Sequence, residues 1–255
     1  MDSFQRVTVA LGTFLAIQAR GVSETAAQTR ALDRVCEVFQ TVERAMHPTT
    51  RGSDLVRIAE APAGSLLSVH PWTFEVLALS LRLWRSSDGQ FDPCIPASPA
   101  RLGDLQLVDP ASVRAPLRPA LLDLGGIAKG FAIDRAVELL IEEACSTGLV
   151  NAGGDMRAFG PQAYEIEVRI PGSSRRLQLA SGALAVSAPR TARSPSGHRG
   201  FYSRVDGVEV SGHPVGVLAP AAAVADALTK CAFTCPAEVL RRLLDEFGAS
   251  LLALD

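Results

Sequence analysis

The sequence lacks the markers of several protein classes. Its five cysteines are an odd number, and no two of them have Cys-x-x-Cys spacing, so neither a disulfide framework nor a zinc ribbon is indicated. Its 25 basic and 27 acidic residues leave a formal net charge of −2, which gives no reason to expect a nucleic-acid partner. No apolar run reaches the roughly 18 residues that cross a bilayer, so no membrane partner is expected either.

The amino terminus also lacks the features of a secretory signal peptide. Residues 1–21, MDSFQRVTVALGTFLAIQARG, show no charged start, apolar h-region and small-residue cleavage site. Apolar and polar residues alternate there instead, which predicts a pair of strands over residues 4–20 with a bend at Gly12-Thr13. We therefore expect a cytoplasmic protein.

What the sequence does contain is a mixture of helical and strand patterns. Hydrophobic residues make up 47% of the chain, enough for a substantial core. The pattern predicts an α+β fold with largely antiparallel strands. We expect one domain over residues 1–255, with two intimately packed subdomains as the alternative. Helices are expected at 23–46, 71–89, 127–147, 223–233 and 236–248, strands at 120–124, 149–152, 164–170, 175–180, 215–219 and 250–254, and long irregular segments at 92–119 and 189–214.

Residues 122–140, LDLGGIAKGFAIDRAVELL, form a junction of strand, glycines and helix. Gly125 and Gly126 could bring the backbone close to a ligand, and the start of the helix offers N–H groups to a phosphate. Lys129 would add a positive charge. A tight turn followed by a solvated lysine explains the same residues. Because the spacing matches neither a P-loop nor Gly-x-Gly-x-x-Gly, phosphate binding is the less favoured interpretation of these residues alone.

Two shorter segments raise the same choice. In NAGGD, residues 151–155, a second glycine pair ends a strand, and Asp155 can be a turn residue, an N-cap or a ligand to a polar group. In FDP, residues 91–93, Asp92 precedes a proline after the end of a helix. Turn chemistry is the favoured interpretation of both segments.

Asp226 is a lone carboxylate in an otherwise apolar helix, AVADALTKCAF. Burying a carboxylate without a partner is costly, so Asp226 requires a cation or a metal ion. Lys230 is four residues away, which permits an ion pair on one face of the helix. Coordination of Mg²⁺ by the carboxylate is the alternative. The residues alone favour neither.

Taken together, these segments resemble the ApbE-type flavin transferases, which move FMN from FAD onto a threonine of a target protein. LDLGGIAKGFAIDRAVELL is nearly an unmodified family motif, and LVNAGGDMRAFG is a second. GQFDPCIPA is similar to the family's Gly-x-Phe-Asp-Pro-Thr segment, ALGTFLAI to its N-terminal Met-Gly-Thr strand, and ADALTKCAF to its C-terminal Ala-Asp-Ala-Leu helix. The order and spacing agree over essentially the whole chain.

The resemblance implies a fold, a reaction and a set of site residues. The fold would be ApbE-like, with mixed, mostly antiparallel sheets and flanking helices. The substrates would be FAD and an acceptor protein, AMP would be released, and Mg²⁺ would assist. The catalytic residues would be Asp123, Lys129 and Asp226. FAD would contact Leu11, Met46, Gln90, Phe91, Asp92, Asp123 and Lys129, and Mg²⁺ would be held by the backbone carbonyl of Gly126, by Asp226 and by Thr229.

The chain departs from the family pattern at several positions. Lys230 stands where the family usually has a threonine whose hydroxyl binds Mg²⁺, with Thr229 one place earlier. Leu11 replaces the methionine of Met-Gly-Thr, and Met46 or His47 stands where the family has a flavin-stacking aromatic residue. The family's His-Ile-Ile-Asp-Pro near residues 203–212 is replaced by SRVDGVEVSG, which has no histidine.

These departures leave three functions open. The first is transfer of FMN from FAD to a threonine hydroxyl of an acceptor protein. The second is a non-catalytic FAD-binding protein with a degraded metal site, in which the ammonium group of Lys230 takes over part of the role of the metal. The third is an FAD pyrophosphatase, in which water is the acceptor and the products are FMN and AMP.

Overall fold

The structure is a computed structural model, and it describes residues 3–109, 111–170, 173–188, 213–252 and 254. All structural statements below concern these residues. Most of the loop predicted at 189–214 lies outside them, and so does the segment 203–212, in which the family histidine is missing.

Short strands and helices follow one another along the described chain. The strands are β1 (Ser3–Ala10), β2 (Thr13–Arg20), β3 (Leu66–Ser68), β4 (Gln106–Val108), β5 (Ser112–Arg114), β6 (Thr147–Ala152), β7 (Asp155–Phe159), β8 (Tyr164–Ile170), β9 (Ser173–Leu179), β10 (Gly182–Ser187), β11 (Val215–Ala219) and β12 (Ser250–Leu252). The helices are α1 (Thr25–Met46), α2 (Asp54–Glu60), α3 (Pro71–Ser86), α4 (Ala128–Glu142), α5 (Ala222–Thr234) and α6 (Ala237–Glu246). No helix within the described ranges is long and apolar enough to span a membrane.

The largest sheet has seven strands in the order β1-β2-β6-β7-β10-β11-β12, and every neighbouring pair is antiparallel. A three-stranded antiparallel sheet has the order β3-β5-β4, and β8 and β9 form a separate antiparallel ribbon. The predicted α+β class, with mostly antiparallel sheets and flanking helices, is therefore confirmed. The expectation of one domain stays a prediction.

Helices α4 and α5 cover one face of the seven-stranded sheet. α4 packs on β6 and β7, α5 packs on β10 and β11, and the two helices also pack on each other. Small residues permit this close approach, because a methyl group placed on Gly130 of α4 would lie only 2.2 Å from the carbonyl oxygen of Ala222 in α5. The large buried side chains on this side of the sheet include Phe39, Ile127, Ile133 and Leu140.

The β8-β9 ribbon contributes to a second, smaller core. Tyr164, Ile166 and Val168 are buried at alternate positions of β8, and the residues between them are exposed, as the period of two predicts. These three side chains cluster with Met156 and Leu184 of the seven-stranded sheet. Because α4 and β8 bury different residues of β6 and β7, the sheet is covered on both faces here.

The predicted strand at 120–124 is wrong. Leu122 makes one isolated bridge to Cys94, and the adjacent backbone bonds run from Ile95 to the carbonyl of Leu121 and from Asp123 to the carbonyl of Pro93. The segment therefore pairs with a proline-rich stretch and not with a sheet, since prolines lack the N–H that a ladder requires. The irregular segment predicted at 92–119 also contains two short strands, β4 and β5.

Two helix ends also differ from the prediction. The helix expected at 127–147 ends at Glu142, where Ala144 has a φ of +63° and the N–H of Cys145 donates to the carbonyl of Leu140. Glycine usually occupies this left-handed position, so an alanine gives no stop signal in the sequence. α1 begins at Thr25, without a side-chain cap from Ser23. The seven-residue helix α2 is absent from the prediction because it is too short to show a helical stripe.

Candidate active site

The glycine pair of NAGGD forms the tight turn between β6 and β7. Gly153 and Gly154 have φ values of +63° and +97°, the left-handed pair that a two-residue hairpin turn requires. The side-chain oxygen of Asn151 accepts a hydrogen bond from the N–H of Gly154 at 3.0 Å. The favoured interpretation as turn chemistry is therefore confirmed for the glycines. The turn also places Asp155 at the start of β7, where it is 2% exposed.

Lys129 lies between two buried carboxylates. It belongs to the first turn of α4, and its Nζ contacts Oδ2 of Asp155 and lies 3.7 Å from Oδ2 of Asp226. The other oxygen of Asp155 accepts the N–H of Val186 at 3.2 Å. Burial, joined by repulsion from Lys230, lowers the pKa of the Lys129 ammonium below its usual value, and Asp226 opposes this shift.

Asp226 is at the centre of the cluster, and its side chain has no exposed surface. Its Oδ1 lies 2.6 Å from Nζ of Lys230, and its Oδ2 accepts the backbone N–H of Gly130 at 3.3 Å. Burial raises the pKa of the Asp226 carboxyl, but the charges of Lys129 and Lys230 and the two hydrogen bonds outweigh burial. The pKa therefore lies below its usual value, and the group is an anion at neutral pH.

Lys230 is surrounded by oxygen atoms. Its Nζ donates to Asp226, to Oγ of Ser187 at 3.0 Å and to Oγ1 of Thr229 at 3.0 Å. Ser187 and Thr229 are themselves 2.8 Å apart, and Oγ1 of Thr229 donates to the backbone carbonyl of Asp226 at 2.7 Å. A methyl group placed on Gly126 would lie 3.2 Å from Cγ of Lys230, so the lysine stem rests against this glycine. The ion pair between positions 226 and 230, one of the two alternatives that the sequence left open, is present.

The FDP segment and the glycine junction lie side by side. The N–H of Asp123 donates to the carbonyl of Pro93 at 2.8 Å, and Oδ1 of Asp123 accepts the N–H of Gly125 at 2.8 Å. Asp123 and Gly125 are exposed. Since Gly126 follows directly and contacts Lys230, the exposed Asp123 turn leads into the buried cluster around Asp226.

Asp92 has a local structural role in this structure. Its Oδ1 accepts the N–H of Cys94 at 2.9 Å and that of Leu102 at 3.3 Å, and its side chain is fully buried. The neighbouring Phe91 is 6% exposed, and Gln90 is half-buried. The Asp-Pro turn is therefore confirmed, while the predicted contacts of these three residues with FAD stay predictions.

The two remaining predicted contacts with FAD lie on other elements. Leu11 is in the turn between β1 and β2, with a φ of +49°. The turn adjoins Gly153, because a methyl group on that glycine would lie 2.6 Å from Oγ1 of Thr13. Met46 ends α1 and is packed in the helix-side core, with 4% of its surface exposed. Its predicted contact with the flavin stays a prediction.

Asp134 of α4 holds the start of α5 in place. Its carboxylate accepts the N–H groups of Ala222 and Ala223 at 2.8 Å each, and the first turn of α5 has no side-chain cap of its own. Arg157 of β7 donates to the same carboxylate at 2.7 Å. Burial raises the pKa of Asp134 above its usual value, although Arg157 and both N–H groups oppose that shift. Asp134 thereby fixes the helix that carries Asp226 and Lys230.

Two residues of the site, Asp134 and Ser187, are missing from the sequence prediction, and a third, Asp155, is present there only as one of several alternatives. Asp155 carried a weak signal, since an aspartate after a glycine turn can be a ligand. Asp134 and Ser187 carried none, because their partners lie 88 and 42 residues away, respectively, along the chain. The antiparallel order of β7 and β10 brings Asp155 and Ser187 to the helices.

The predicted Mg²⁺ does not fit the residues present. Both oxygens of Asp226 are already bonded, and the ammonium group of Lys230 lies among the oxygens of Asp226 and Thr229 that were expected to hold the ion. At a separation of about 4 Å, an ammonium group and a divalent cation repel each other by about 8 kcal/mol at an effective dielectric constant near 20. Within the described part of the chain, no group of three His, Cys, Asp or Glu side chains could hold a metal ion.

The site brings together several groups that can contact an anion with phosphate groups. Two ammonium groups, those of Lys129 and Lys230, lie beside the first turn of α4, where the helix dipole is positive. The carboxylates of Asp155 and Asp226 balance their charges. The two lysine side chains are 24% and 18% exposed, so both residues lie partly at the surface. The exposed Asp123 turn borders the same region.

Comparison with known proteins identifies the family of this chain. The model of the ApbE family matches residues 11–253. The chain is 26% identical to the FAD:protein FMN transferase of Treponema pallidum, over 96% of this chain and 82% of that protein. The crystal structure of the ApbE protein from Thermotoga maritima has a TM-score of 0.83 at 23% identity, covering 98% of this chain and 94% of the other. The flavin transferase ApbE from Vibrio cholerae has a TM-score of 0.78 at 20% identity, covering 98% and 93%. The chain belongs to the ApbE family.

Proposed function

We propose that this protein transfers FMN from FAD to a threonine hydroxyl of an acceptor protein and releases AMP. The observation that carries the proposal is the cluster in which Lys129 and Lys230 meet at Asp226, beside the start of α4 and the Gly125-Gly126 turn. Membership of the ApbE family and the similarity to the Treponema pallidum enzyme support the same reaction.

The proposed step is a displacement at phosphorus. The threonine oxygen forms a bond to the phosphorus of the FMN half of FAD, and the bond from that phosphorus to the bridging oxygen breaks. AMP leaves with the bridging oxygen, and the hydroxyl proton passes to water. Negative charge develops on the phosphate oxygens during this exchange, so fixed positive charges lower the barrier.

Each proposed catalytic residue has a separate part in this step. Lys129, oriented by Asp155, would neutralise charge on the pyrophosphate. Asp226 would hold both lysines in position, since it lies between their ammonium groups. Asp123 would orient FAD from the exposed side of the Gly125 turn. The acceptor must present its threonine at this exposed edge.

A single incubation tests the reaction. The full chain is mixed with FAD and a threonine-containing acceptor protein that another family member modifies. We expect the acceptor to become fluorescent on a denaturing gel and to gain the mass of FMN less one water, with one AMP released per flavin attached. An acceptor with alanine in place of that threonine is the control for chemical labelling.

Other outcomes would identify the alternative functions. Free FMN and AMP without a labelled acceptor would indicate a pyrophosphatase, and unchanged FAD bound to a yellow protein would indicate a non-catalytic binding protein. A Lys129→Gln variant should lose about tenfold or more of the transfer rate, because the fixed charge is gone. Arg82→Gln removes a cation from the exposed surface of α3 and should leave the rate unchanged.

A further inference from the structure

We propose that the ammonium group of Lys230 permanently occupies the position of a divalent cation, so that this protein binds no Mg²⁺ there and supplies the second positive charge itself. The consequence for FAD rests on the proposed function, whereas the exclusion of the metal ion does not. The cation expected from the family would then be replaced by a charge that is covalently part of the chain.

The surroundings of the Lys230 ammonium are those of a bound cation. Three oxygen atoms lie within 3.0 Å of Nζ, from the carboxylate of Asp226 and the hydroxyls of Ser187 and Thr229. Asp226 and Thr229 are fully buried, and Ser187 is 9% exposed. The oxygen atoms come from β10 and from α5, so this set of three ligands depends on the tertiary fold and not on one helix alone.

The lysine stem packs against Gly126. A methyl group placed on Gly126 would approach Cγ of Lys230 to 3.2 Å and Cε to 3.3 Å. The stem therefore lies directly against the glycine whose carbonyl was expected to be a metal ligand. A metal ion could enter only if the whole side chain of Lys230 moved out of its contacts.

The charge of the cluster is already balanced. The carboxylates of Asp226 and Asp155 face the ammonium groups of Lys129 and Lys230. A divalent cation would add two positive charges that no described carboxylate in the cluster compensates, which is costly in a buried site. Mg²⁺ also requires a near-octahedral set of oxygens and loses water reluctantly, and here both oxygens of Asp226 are bonded.

Calorimetric titration of MgCl₂ and MnCl₂ into the FAD-free full chain tests the proposal. We expect no saturable binding by the natural protein below millimolar metal. Lys230→Thr removes the ammonium group and adds a hydroxyl. This variant should therefore bind the metal ion saturably, at least about tenfold more tightly than the natural protein does. Adding Asp226→Ala to it should abolish that binding. Lys230→Met removes the charge without adding an oxygen, so it should bind the metal more weakly than Lys230→Thr.

The opposite results would overturn the proposal. Micromolar binding of Mg²⁺ by the natural protein that is lost in Asp226→Ala would show that Lys230 leaves room for the ion. A folded Lys230→Thr variant that gains no site would show that Lys230 is not what excludes the metal. If circular dichroism shows that this variant is unfolded, the titration of the natural protein decides alone.

A second readout separates this proposal from the proposed function. Flavin transfer by the natural protein should proceed equally in EDTA and in MgCl₂, and transfer by Lys230→Thr should require the metal. Transfer by the natural protein that EDTA abolishes and Mg²⁺ restores would overturn the proposal. If no flavin is transferred under any condition, the proposed function fails, and the calorimetry still decides whether Lys230 replaces the metal ion.

Discussion

Asp226 of α5 accepts the backbone N–H of Gly130 in the first turn of α4, at 3.3 Å. The reverse relationship also exists, because Asp134 of α4 accepts the N–H groups of Ala222 and Ala223 in the first turn of α5. Neither helix has a side-chain cap from its own N-cap residue. Each helix thus takes its cap from the other, and these bonds hold Lys129 and Lys230 at fixed positions relative to each other.

Replacing Asp134 should destabilise the fold. In Asp134→Asn, an amide oxygen at the position of Oδ1 can still accept from Ala222 and Arg157. The N–H of Ala223 then faces the NH₂ group and loses its acceptor, and Arg157 loses its anionic partner. We expect the free energy of unfolding in urea to fall by about 2–4 kcal/mol. The matched control is Asp33→Asn, which breaks an exposed pair with Arg6 and should cost less than about 1 kcal/mol. Equal losses in both variants would refute the capping role.

Gly130→Ala should disrupt the contact between α4 and α5. The added methyl group would lie 2.2 Å from the carbonyl oxygen of Ala222 and 2.7 Å from Cα of Ala223, both of which are backbone atoms that cannot rotate away. We expect a loss of at least about 2 kcal/mol in chemical unfolding, although alanine is the better helix former. A variant as stable as the natural protein would mean that α4 and α5 are farther apart at Gly130 than these distances indicate.

Ala144→Gly should stabilise the protein. Ala144 follows α4 in a left-handed conformation with a φ of +63°, which costs an alanine about 1 kcal/mol and costs glycine almost nothing. The expected gain is about 0.5–1 kcal/mol in the free energy of unfolding. The same change at Ala136, in the buried middle of α4, is the control and should destabilise the protein. A loss of stability in Ala144→Gly would contradict the described helix end.

The cysteines should differ in their reaction with iodoacetamide. Burial, joined by repulsion from Glu143, raises the pKa of Cys145 to about 11. At pH 8 only about one thousandth of Cys145 is then the reactive thiolate, and the fraction grows about tenfold per pH unit until the pKa is reached. A hydrogen bond from Cys231 lowers the pKa of the half-buried Cys235, so Cys235 should react first. Mass spectrometry of timed samples measures this order, and faster labelling of Cys145 at pH 8 would contradict it.

Residues that interact within a few positions could be predicted from the sequence. The glycine pair at 153–154 determines a hairpin turn because both residues adopt positive φ, and the alternation over 164–170 determines a half-buried strand. Helical spacing permitted the Asp226–Lys230 pair as one of two alternatives, and the structure contains that pair. The end of α4 could not be predicted, because Ala144 adopts a conformation that its own type disfavours and the surrounding packing decides it.

The meeting of distant residues was decided by the tertiary structure. The sequence left Asp226 open between an ion pair and a metal site, since spacing along a helix permits both. Ser187 reaches Lys230 from β10, and Asp155 reaches Lys129 from β7, only because the order of the antiparallel strands sets these residues under α4 and α5. Local sequence determines backbone conformation over a few residues, whereas contacts between distant residues depend on how the elements pack. Packing therefore decided that the ammonium group of Lys230 lies beside Asp226, held there by Ser187.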